Sequence, residues 1–247
     1  MDRLLYVAMT GAREAQVAQS VTSQNLANAS TTGFRATLAS AVHAPVAGPG
    51  HAGARAYAVT EGQGIDFTPG PLMATGRSLD VAIDGQGWIA VQTPDGGEGL
   101  TRAGDLRVDA FGMLTTGTGL PVLGNGGPIA LPPFESLEIA GDGTISIRPL
   151  GQDAAGLAVV ERIRLVNPDP ATLVRGDDGV VRVAAGEPPP AEADVRLLGG
   201  MLEGSNVNTV SAMVEMIRHA RSFELQVKMM NTAQQNDQSS GALLRLG

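Results

Sequence analysis

Three aspartates close together in the sequence have the side chains best suited to catalysis. Asp80, Asp84 and Asp105 lie near two arginines, Arg77 and Arg102. Paired carboxylates can share the general acid and general base steps of a hydrolysis. These aspartates therefore define the strongest enzymatic hypothesis, a small hydrolase built on a β domain.

The surrounding sequence favours structural roles for these carboxylates. Asp84 opens a glycine-rich turn, and Asp80 stands beside alternating Val81 and Ile83, which predicts that it lies on the solvent face of a strand. No Gly-x-Ser-x-Gly nucleophile, phosphate-binding glycine loop, dinucleotide fingerprint or HExxH motif occurs in the sequence. We therefore expect no catalytic residue and no cofactor, and we expect Trp88 to anchor a core.

Composition narrows the classes of binding partner. The histidines His43, His51 and His219 are not paired with carboxylates at ligand spacing, so no metal site is expected. The sequence has no cysteine, which excludes disulfides and thiolate ligands. Its net charge is −8 and its only lysine is Lys228, so nucleic acid is not an expected partner. We also expect no membrane span and no cleaved signal peptide.

A long helix is predicted at the C-terminal end, because neither Gly nor Pro occurs between Gly204 and Gly241. Asn208 or Thr209 is a candidate N-cap, and the polar residues 238–241 are predicted to end the helix. A helix of about 30 residues is roughly 45 Å long, longer than a compact domain of this size is wide. Its apolar residues form one stripe that needs a partner, with Gln226 off that stripe: Val210, Met213, Met216, Ile217, Ala220, Phe223, Val227 and Met230.

A second helix is predicted over residues 3–28. Its stripe has the spacing of a coiled-coil seam and consists mostly of small residues: Leu5, Ala8, Ala12, Ala15, Gln19, Thr22 and Leu26. Gly11 weakens this helix, so its stability must come from packing. At its end, Asn25 and Asn28 can satisfy free carbonyls or adopt left-handed angles, Gly33 is expected to have a positive φ, and Phe34 returns to an apolar surface.

The middle of the chain consists of short apolar runs separated by turns. Runs such as residues 79–83 and 144–147 are separated by Asp-Gly and Gly-Asn steps, which supply the positive φ angles of tight hairpins. This pattern predicts an all-β domain over residues 61–200. Residues 38–60 are rich in Ala, Gly and Pro without a sustained period, so they are predicted to form a linker or extended loop.

Motifs at both ends of the chain carry a family resemblance. N-L-A-N-x-x-T-x-G-F occupies residues 25–34, and L-E-G-S-N-V at 202–207 precedes R-x-F-E at 221–224. Between them, S-L-D-V-A-I-x-G-x-G-W at 78–88 and L-T-R-A-G-D-L at 100–106 extend the likeness over nearly the whole chain. The sequence resembles the rod and hook family of bacterial flagellar axial proteins.

The resemblance implies an α+β fold in which the two terminal helices pair as a coiled coil around a central all-β domain. The implied divisions are a helix with its stop motif at 1–37, the linker at 38–60, the β domain at 61–200 and the second helix at 201–247. The implied role is a non-enzymatic subunit of the basal-body rod that transmits torque and lines the axial export channel. Its implied partners are other rod proteins, further copies of itself in a helical tube, and the flagellar type III export apparatus, with assembly in the periplasm.

Within this family, the short length, the Met1-Asp2 start with Tyr6 and the S-N-V-N step at 205–208 favour a proximal-rod protein. A distal-rod or hook-type member is the first alternative. A phage-tail-like or secreted β-rich interaction protein is another, which would share the β middle without needing helices at both ends. The hydrolase remains a distant third, because it would need converging acids.

The expected assembly interface combines the two helical stripes with the two end motifs. Its N-terminal members are Leu5, Ala8, Ala12, Ala15, Asn25, Leu26, Asn28, Gly33 and Phe34. Its C-terminal members are Ser205, Asn206, Val207, Met213, Ile217, Ala220, Phe223, Val227 and Met230. Five of the helix residues are expected in contacts between helices of the assembled rod: Met213, Ile217, Ala220, Val227 and Met230.

Overall fold

The chain forms two compact units, seen in a computed structural model that describes residues 2–45, 56–151, 157–176, 178–184 and 188–244. The helix unit consists of Met1–Ala27, Thr37–Gly64 and Asn208–Gly247, and the β unit consists of Asn28–Ala36 and Ile65–Val207. The expected boundaries at 37/38, 60/61 and 200/201 are therefore corrected. Residues 28–36 and 201–207 belong to the β unit, because they form hydrogen bonds and ion pairs there.

Both predicted helices are present: α1 spans Asp2–Ala27 and α2 spans Thr209–Leu244. The backbone N–H of Ser211 donates to Asn208 Oδ1 at 3.0 Å, so Asn208 is the N-cap of α2 as predicted. The predicted end of α2 at residues 238–241 is wrong, since the helix continues through Gly241 for a total of 36 residues. One glycine costs a helix only about 1 kcal/mol relative to alanine, which does not terminate it.

The two helices pack against each other in antiparallel directions. Ser23 Oγ lies 3.8 Å from Met216 Sδ, whereas Gln226 lies against Gly11, so rising numbers on α1 meet falling numbers on α2. A Cβ atom on Gly11 would approach Gln226 Cδ to 2.9 Å. The small residues of α1 thus allow close approach, and Gln226 lies on the face towards α1, not off the stripe as predicted.

The segment predicted as a linker contains two strands, so the prediction for residues 38–60 is wrong in its described part. Strand β1 (Thr37–Pro45) and strand β2 (Ala56–Ile65) pair in a two-stranded sheet of the helix unit. These strands contain many Ala, Gly, Ser and Thr residues, and the weak hydropathy contrast of such residues hides the period of two that identifies a strand. Residues 46–55 of the predicted linker, including His51, lie outside the described residues.

The β unit is built from short antiparallel strands, as the turn-separated runs predicted. The strands are β3 (Leu72–Ala74), β4 (Val81–Asp84), β5 (Trp88–Gln92), β6 (Glu98–Thr101), β7 (Arg107–Val108), β8 (Leu114–Thr115), β9 (Leu123–Gly124), β10 (Gly127–Pro128), β11 (Phe134–Ile139), β12 (Thr144–Pro149), β13 (Ala158–Arg162), β14 (Leu165–Val166), β15 (Leu173–Arg175), β16 (Val181–Val183), β17 (Arg196–Gly199) and β18 (Met201–Glu203). A 3-10 turn at Pro170–Thr172 precedes β15. Two C-terminal strands return to early ones, because β17 pairs with β4 and β18 pairs with β3.

The larger sheets enclose the core of the β unit. A five-stranded sheet has the order β14-β5-β6-β16-β15, and a three-stranded sheet has the order β11-β12-β13. On β11 and β12, Leu137 is opposite Ile147 and Ile139 is opposite Ile145, so the buried side chains of both strands share one face. The predicted core role of Trp88 is confirmed, because it is buried in a second cluster with its ring edge-on to Phe67.

Candidate assembly faces and a buried junction

Helix α2 has apolar side chains on two opposite sides. Ala212 and Ala233 are buried, and Met216, Val227 and Met230 are half-buried, on the side that faces α1. On the opposite side, Val210, Met213, Val214 and Ile217 are exposed, Ile217 by 54%. We call these four residues the outer face of α2. The predicted stripe therefore divides into a part that packs on α1 and a part that is uncovered within the chain.

Helix α1 contributes a surface of small residues to the pair. Ala8, Ala12 and Ala15 are buried, as a close helix packing requires, and Leu26 is half-buried. Leu5 of the predicted stripe is partly exposed. On α2, the predicted residue Phe223 is also partly exposed and Ala220 is half-buried. Whether any of these residues contacts a second subunit stays a prediction.

The end of α1 is fixed by an asparagine that was expected to act there. Asn25 Nδ2 donates to the carbonyl of Thr37, and the N–H of Thr37 donates back to Asn25 Oδ1, both at 2.8 Å. This pair of bonds joins α1 to the first residue of β1. None of the described residues other than glycine has a positive φ, so Asn25 and Asn28 do not use left-handed angles.

A buried ion cluster lies in the β unit, and we call it the junction. Its centre is Glu203, of which 1% is exposed. Glu203 Oε1 accepts from Arg35 Nη2 at 2.7 Å and from the N–H of Gly70 at 2.9 Å, and Oε2 accepts from Arg102 Nη1 at 3.1 Å. The junction thus joins residues that are far apart in sequence around one carboxylate.

The junction holds two guanidinium groups for one carboxylate, so it buries an excess positive charge. Arg35 and Arg102 are only 3% and 6% exposed. Burial lowers the pKa of the Arg102 guanidinium, Glu203 opposes that shift, and the charge of Arg35 adds to it. Arg102 is further held by the carbonyl of Gly85 and by the face of the Trp88 ring, 5.6 Å away. Removing Glu203 alone would leave two like charges buried together.

The end motifs supply the backbone around the junction. Gly33 has a φ of +67°, as predicted, and its N–H donates to the carbonyl of Glu203 at 2.7 Å. Asn206 accepts from the N–H of Ala36 at 2.7 Å and donates to the carbonyls of Asp66 and Thr68, each at 3.0 Å. The side chain of Asn206 is therefore engaged inside its own chain. Its expected role between subunits stays a prediction.

The remaining motif residues lie close to the junction in sequence. Phe34 is half-buried, and the Arg175 guanidinium lies 4.7 Å from the centre of its ring. Ser205 is buried, and its hydroxyl accepts from the N–H of Val207 at 3.2 Å. Asn28 accepts from the hydroxyl of Thr31 at 3.1 Å. These contacts fix the course of both end motifs within the β unit.

Two of the three aspartates with catalytic potential, Asp80 and Asp105, are partners in an isolated antiparallel β-bridge. Asp80 is buried, which corrects its predicted place on a solvent face, and it accepts from Arg77 Nε at 2.8 Å and from Thr75 Oγ1 at 2.6 Å. Asp84 is exposed at the end of β4, as predicted. The carboxylate of Asp105 lies against Gly117. The alternating pattern gave the wrong position for Asp80 because this residue lies at an isolated bridge, before β4 begins at Val81.

The described residues contain neither a candidate metal site nor a candidate membrane span. Among them, no group of three or more His, Asp or Glu side chains lies close enough to hold a metal ion. Within the same residues, neither helix is apolar enough over its length to cross a membrane.

Family comparisons match three successive parts of the chain. The family described as "Flagella basal body rod protein" matches residues 5–35, and "Flagellar hook protein FlgE/F/G D1 domain" matches residues 82–147. "Flagellar basal body rod FlgEFG protein C-terminal" matches residues 198–243. The three matches follow the order of helix, β domain and helix in this chain.

Whole-length relatives decide the assignment. The flagellar basal-body rod protein FlgF of Escherichia coli K12 is 43% identical over 252 residues and covers 100% of both chains. The chain belongs to the flagellar basal-body rod protein family. FlgF of Salmonella typhimurium LT2 is 42% identical, also over the whole of both chains. The rod protein FlgG of Bacillus subtilis is 32% identical over 94% of this chain, a weaker similarity than to either FlgF protein. The resemblance predicted from the motifs is thereby confirmed.

The junction draws one residue from each part of the chain that matches a rod or hook family. Arg35 lies in the first part, Arg102 in the second and Glu203 in the third. The motifs contain Arg102 and Glu203, and Arg35 directly follows the first motif, yet no role was predicted for Arg35 or Glu203. A usable signal is present in the sequence, because charges of opposite sign follow apolar residues at the two end motifs, in Phe34-Arg35 and Leu202-Glu203.

Proposed function

We propose that this rod-family protein is a non-enzymatic structural subunit of the proximal rod. It assembles with further copies of itself and with other rod proteins into a helical tube that transmits torque and lines the axial channel. It reaches the periplasmic part of the basal body through the flagellar type III export apparatus, without a cleaved signal peptide. The greater similarity to FlgF than to FlgG supports the proximal assignment over a distal-rod one.

The observation that carries the assembly proposal is the outer face of α2. Four apolar side chains on consecutive turns are uncovered while the opposite side of the helix packs on α1. An apolar row of this kind on a helix gains free energy when another helix covers it. In the proposed rod, helices of adjacent subunits cover this face, so that α1 and α2 become part of a larger coiled-coil packing.

A charge placed on the outer face tests this proposal. Ile217→Asp should abolish swimming in a strain that lacks the native gene, because an unpaired carboxylate in an apolar interface costs several kcal/mol in every subunit. Asn231→Asp is the matched control: it adds the same charge to an exposed polar position of α2. Swimming is scored on soft agar, and periplasmic subunit is measured by immunoblot.

The control variant should swim, and both variants should reach the periplasm in equal amounts. Complete rods and normal swimming with Ile217→Asp would show that the outer face is not an assembly interface. If basal bodies purified from cells that make the wild-type protein do not contain it, the rod assignment itself is contradicted.

A further inference from the structure

The last two strands complete the β unit by pairing with strands that lie much earlier in the sequence. β17 pairs with β4, whose residues Val81, Ala82 and Ile83 are buried, and Leu197 of β17 belongs to the main core. β18 then brings Glu203 beside β3. Part of the core of the β unit can therefore form only after residues 195–203 have packed against β3 and β4.

The N-terminal end motif depends on the same late segment. The N–H of Gly33 and the guanidinium of Arg35 bind Glu203, and the backbone of Ala36 binds Asn206, 170 residues away in the chain. The N–H of Asn206 also donates to the carbonyl of Phe34 at 3.2 Å. Glu203 and Asn206 thus make four of the bonds that fix residues 33–36, and Thr31, Asp66, Thr68 and Arg175 make the others.

The charges of Arg35 and Arg102 make the folding of the β unit depend on Glu203 more strongly than hydrogen bonds alone would. Before Glu203 arrives, placing Arg35 and Arg102 in their final positions would bury two like charges without a carboxylate. Desolvation and mutual repulsion both oppose that state. A β unit without Glu203 is therefore expected to keep at least one of these guanidinium groups in water. If Arg102 stays in water, it leaves its place on Trp88, and if only Arg35 does, Arg102 is buried without its carboxylate.

We propose that Glu203 is a folding clasp, which makes stable structure in the β unit conditional on residues 203–206. The late-made segment neutralises Arg102 within the β unit and captures the N-terminal end motif in the same step. The β unit consequently folds in one transition that includes both end motifs, with no protected core formed in advance. This inference goes beyond the rod assignment, because it concerns the order of folding in the single chain.

Pulsed hydrogen exchange during refolding of the full chain tests the clasp. The reporters for the junction are the N–H groups of Gly33 and Gly70, which donate to Glu203. The reporters for the core are those of Leu114 and Val122, which donate to the carbonyls of Ile129 and Leu114. We expect all four to become protected within a factor of two in time. Protection of the core pair ten times sooner than the junction pair would overturn the proposal.

Two variants separate the charge from the shape of Glu203. Glu203→Gln keeps the size but removes the charge, so it should slow protection of Leu114 and Val122 at least tenfold. Adding Arg35→Gln restores the wild-type excess charge and should recover part of that rate. Glu138→Gln, at an exposed position of β11, should change nothing.

One result for Glu203→Gln would contradict the proposal. If it slows only Gly33 and Gly70 while Leu114 and Val122 refold within twofold of wild type, the clasp does not govern the core. If Glu203→Gln does not fold at all, the wild-type time course alone decides between the two orders of folding.

Discussion

Gly33 combines a backbone conformation and a packing position that no side chain fits. Its φ is +67°, and a Cβ atom there would lie 2.2 Å from the carbonyl carbon of Arg102 and 2.4 Å from the N of Ala103. The glycine therefore lets the N-terminal end motif pass directly against the backbone beside the junction. The positive φ was predicted from sequence, but the close approach was not, because it depends on a segment about seventy residues away.

Replacing Gly33 tests the importance of that close approach. Gly33→Ala should destabilise the β unit by more than about 3 kcal/mol, because backbone atoms must move apart. Gly119→Ala is the control, since Gly119 also has a positive φ but nothing lies within 4 Å of its added Cβ. It should cost only about 1 kcal/mol. Urea unfolding followed by Trp88 fluorescence measures both, and equal losses would refute the steric explanation.

Glu98 gives the β unit a specific pH dependence. Burial raises the pKa of its carboxyl above the ordinary value of 4.5, and Arg164, 3.2 Å away, opposes the shift. The folded protein therefore holds this proton more tightly than the unfolded chain does. The contribution of Glu98 to stability is largest below pH 4.5 and falls as pH rises towards the folded pKa.

A neutral substitution should remove this pH dependence. As pH rises from about 4.5 to neutral, the unfolding free energy of wild type should fall relative to that of Glu98→Gln. Urea unfolding at several pH values measures the difference. Glu135→Gln, which removes the same charge from an exposed pair with Arg148, controls for net charge. If the unfolding free energy of wild type rises relative to that of Glu98→Gln as pH increases, the raised pKa of Glu98 is contradicted.

At the scale of elements, sequence periodicity located both helices and the strands that end in tight turns. Asp142-Gly143 is an example: Gly143 has a φ of +87°, Asp142 accepts from the N–H of Thr144, and β12 begins at once. The β1–β2 sheet was missed because the small residues of these strands, Ala, Gly, Ser and Thr, give too little hydropathy contrast to show a period of two. The place of Gln226 was also missed, because a polar side chain opposite a glycine can lie inside a helix pair, and the pattern of apolar residues cannot show that.

Hydrogen exchange should show that the helices are less stable than the β unit in dilute monomer. The outer face of α2 is uncovered, and the seam on α1 consists of small residues that bury little area each. Amides of α1 and α2 should exchange at least about tenfold faster than those of Leu114 and Val122, and assembly should slow them. Helices as protected as the β core in the monomer would contradict this expectation.

At the scale of the whole molecule, the residues needed for an independent β domain differ from those predicted. A fragment of residues 61–200 lacks Arg35 and Glu203 and leaves Arg102 without its carboxylate. A fragment of residues 28–207 retains the complete junction. The α+β class and the central β domain were predictable from turns and periodicity, but the boundaries depended on an ion cluster whose members lie far apart in sequence.

Thermal melting of the two fragments tests this boundary. Residues 28–207 should melt cooperatively, with a single transition in both circular dichroism and Trp88 fluorescence. Residues 61–200 should be less stable by several kcal/mol or fail to melt cooperatively, because a buried guanidinium loses its partner. Equal melting temperatures would show that the junction is not required for the β unit.

The hydrogen bonds of Asn206 to Phe34 and Ala36 also hold together the two places where the chain leaves the β unit, after Ala36 and after Val207. At the first place the chain continues into the segment of residues 37–64, and at the second it continues into α2. The surface turns between residues 65 and 207 can therefore change in length without moving either place. Variation in the size of the β unit is thereby separated from the course of the chain into the helix unit.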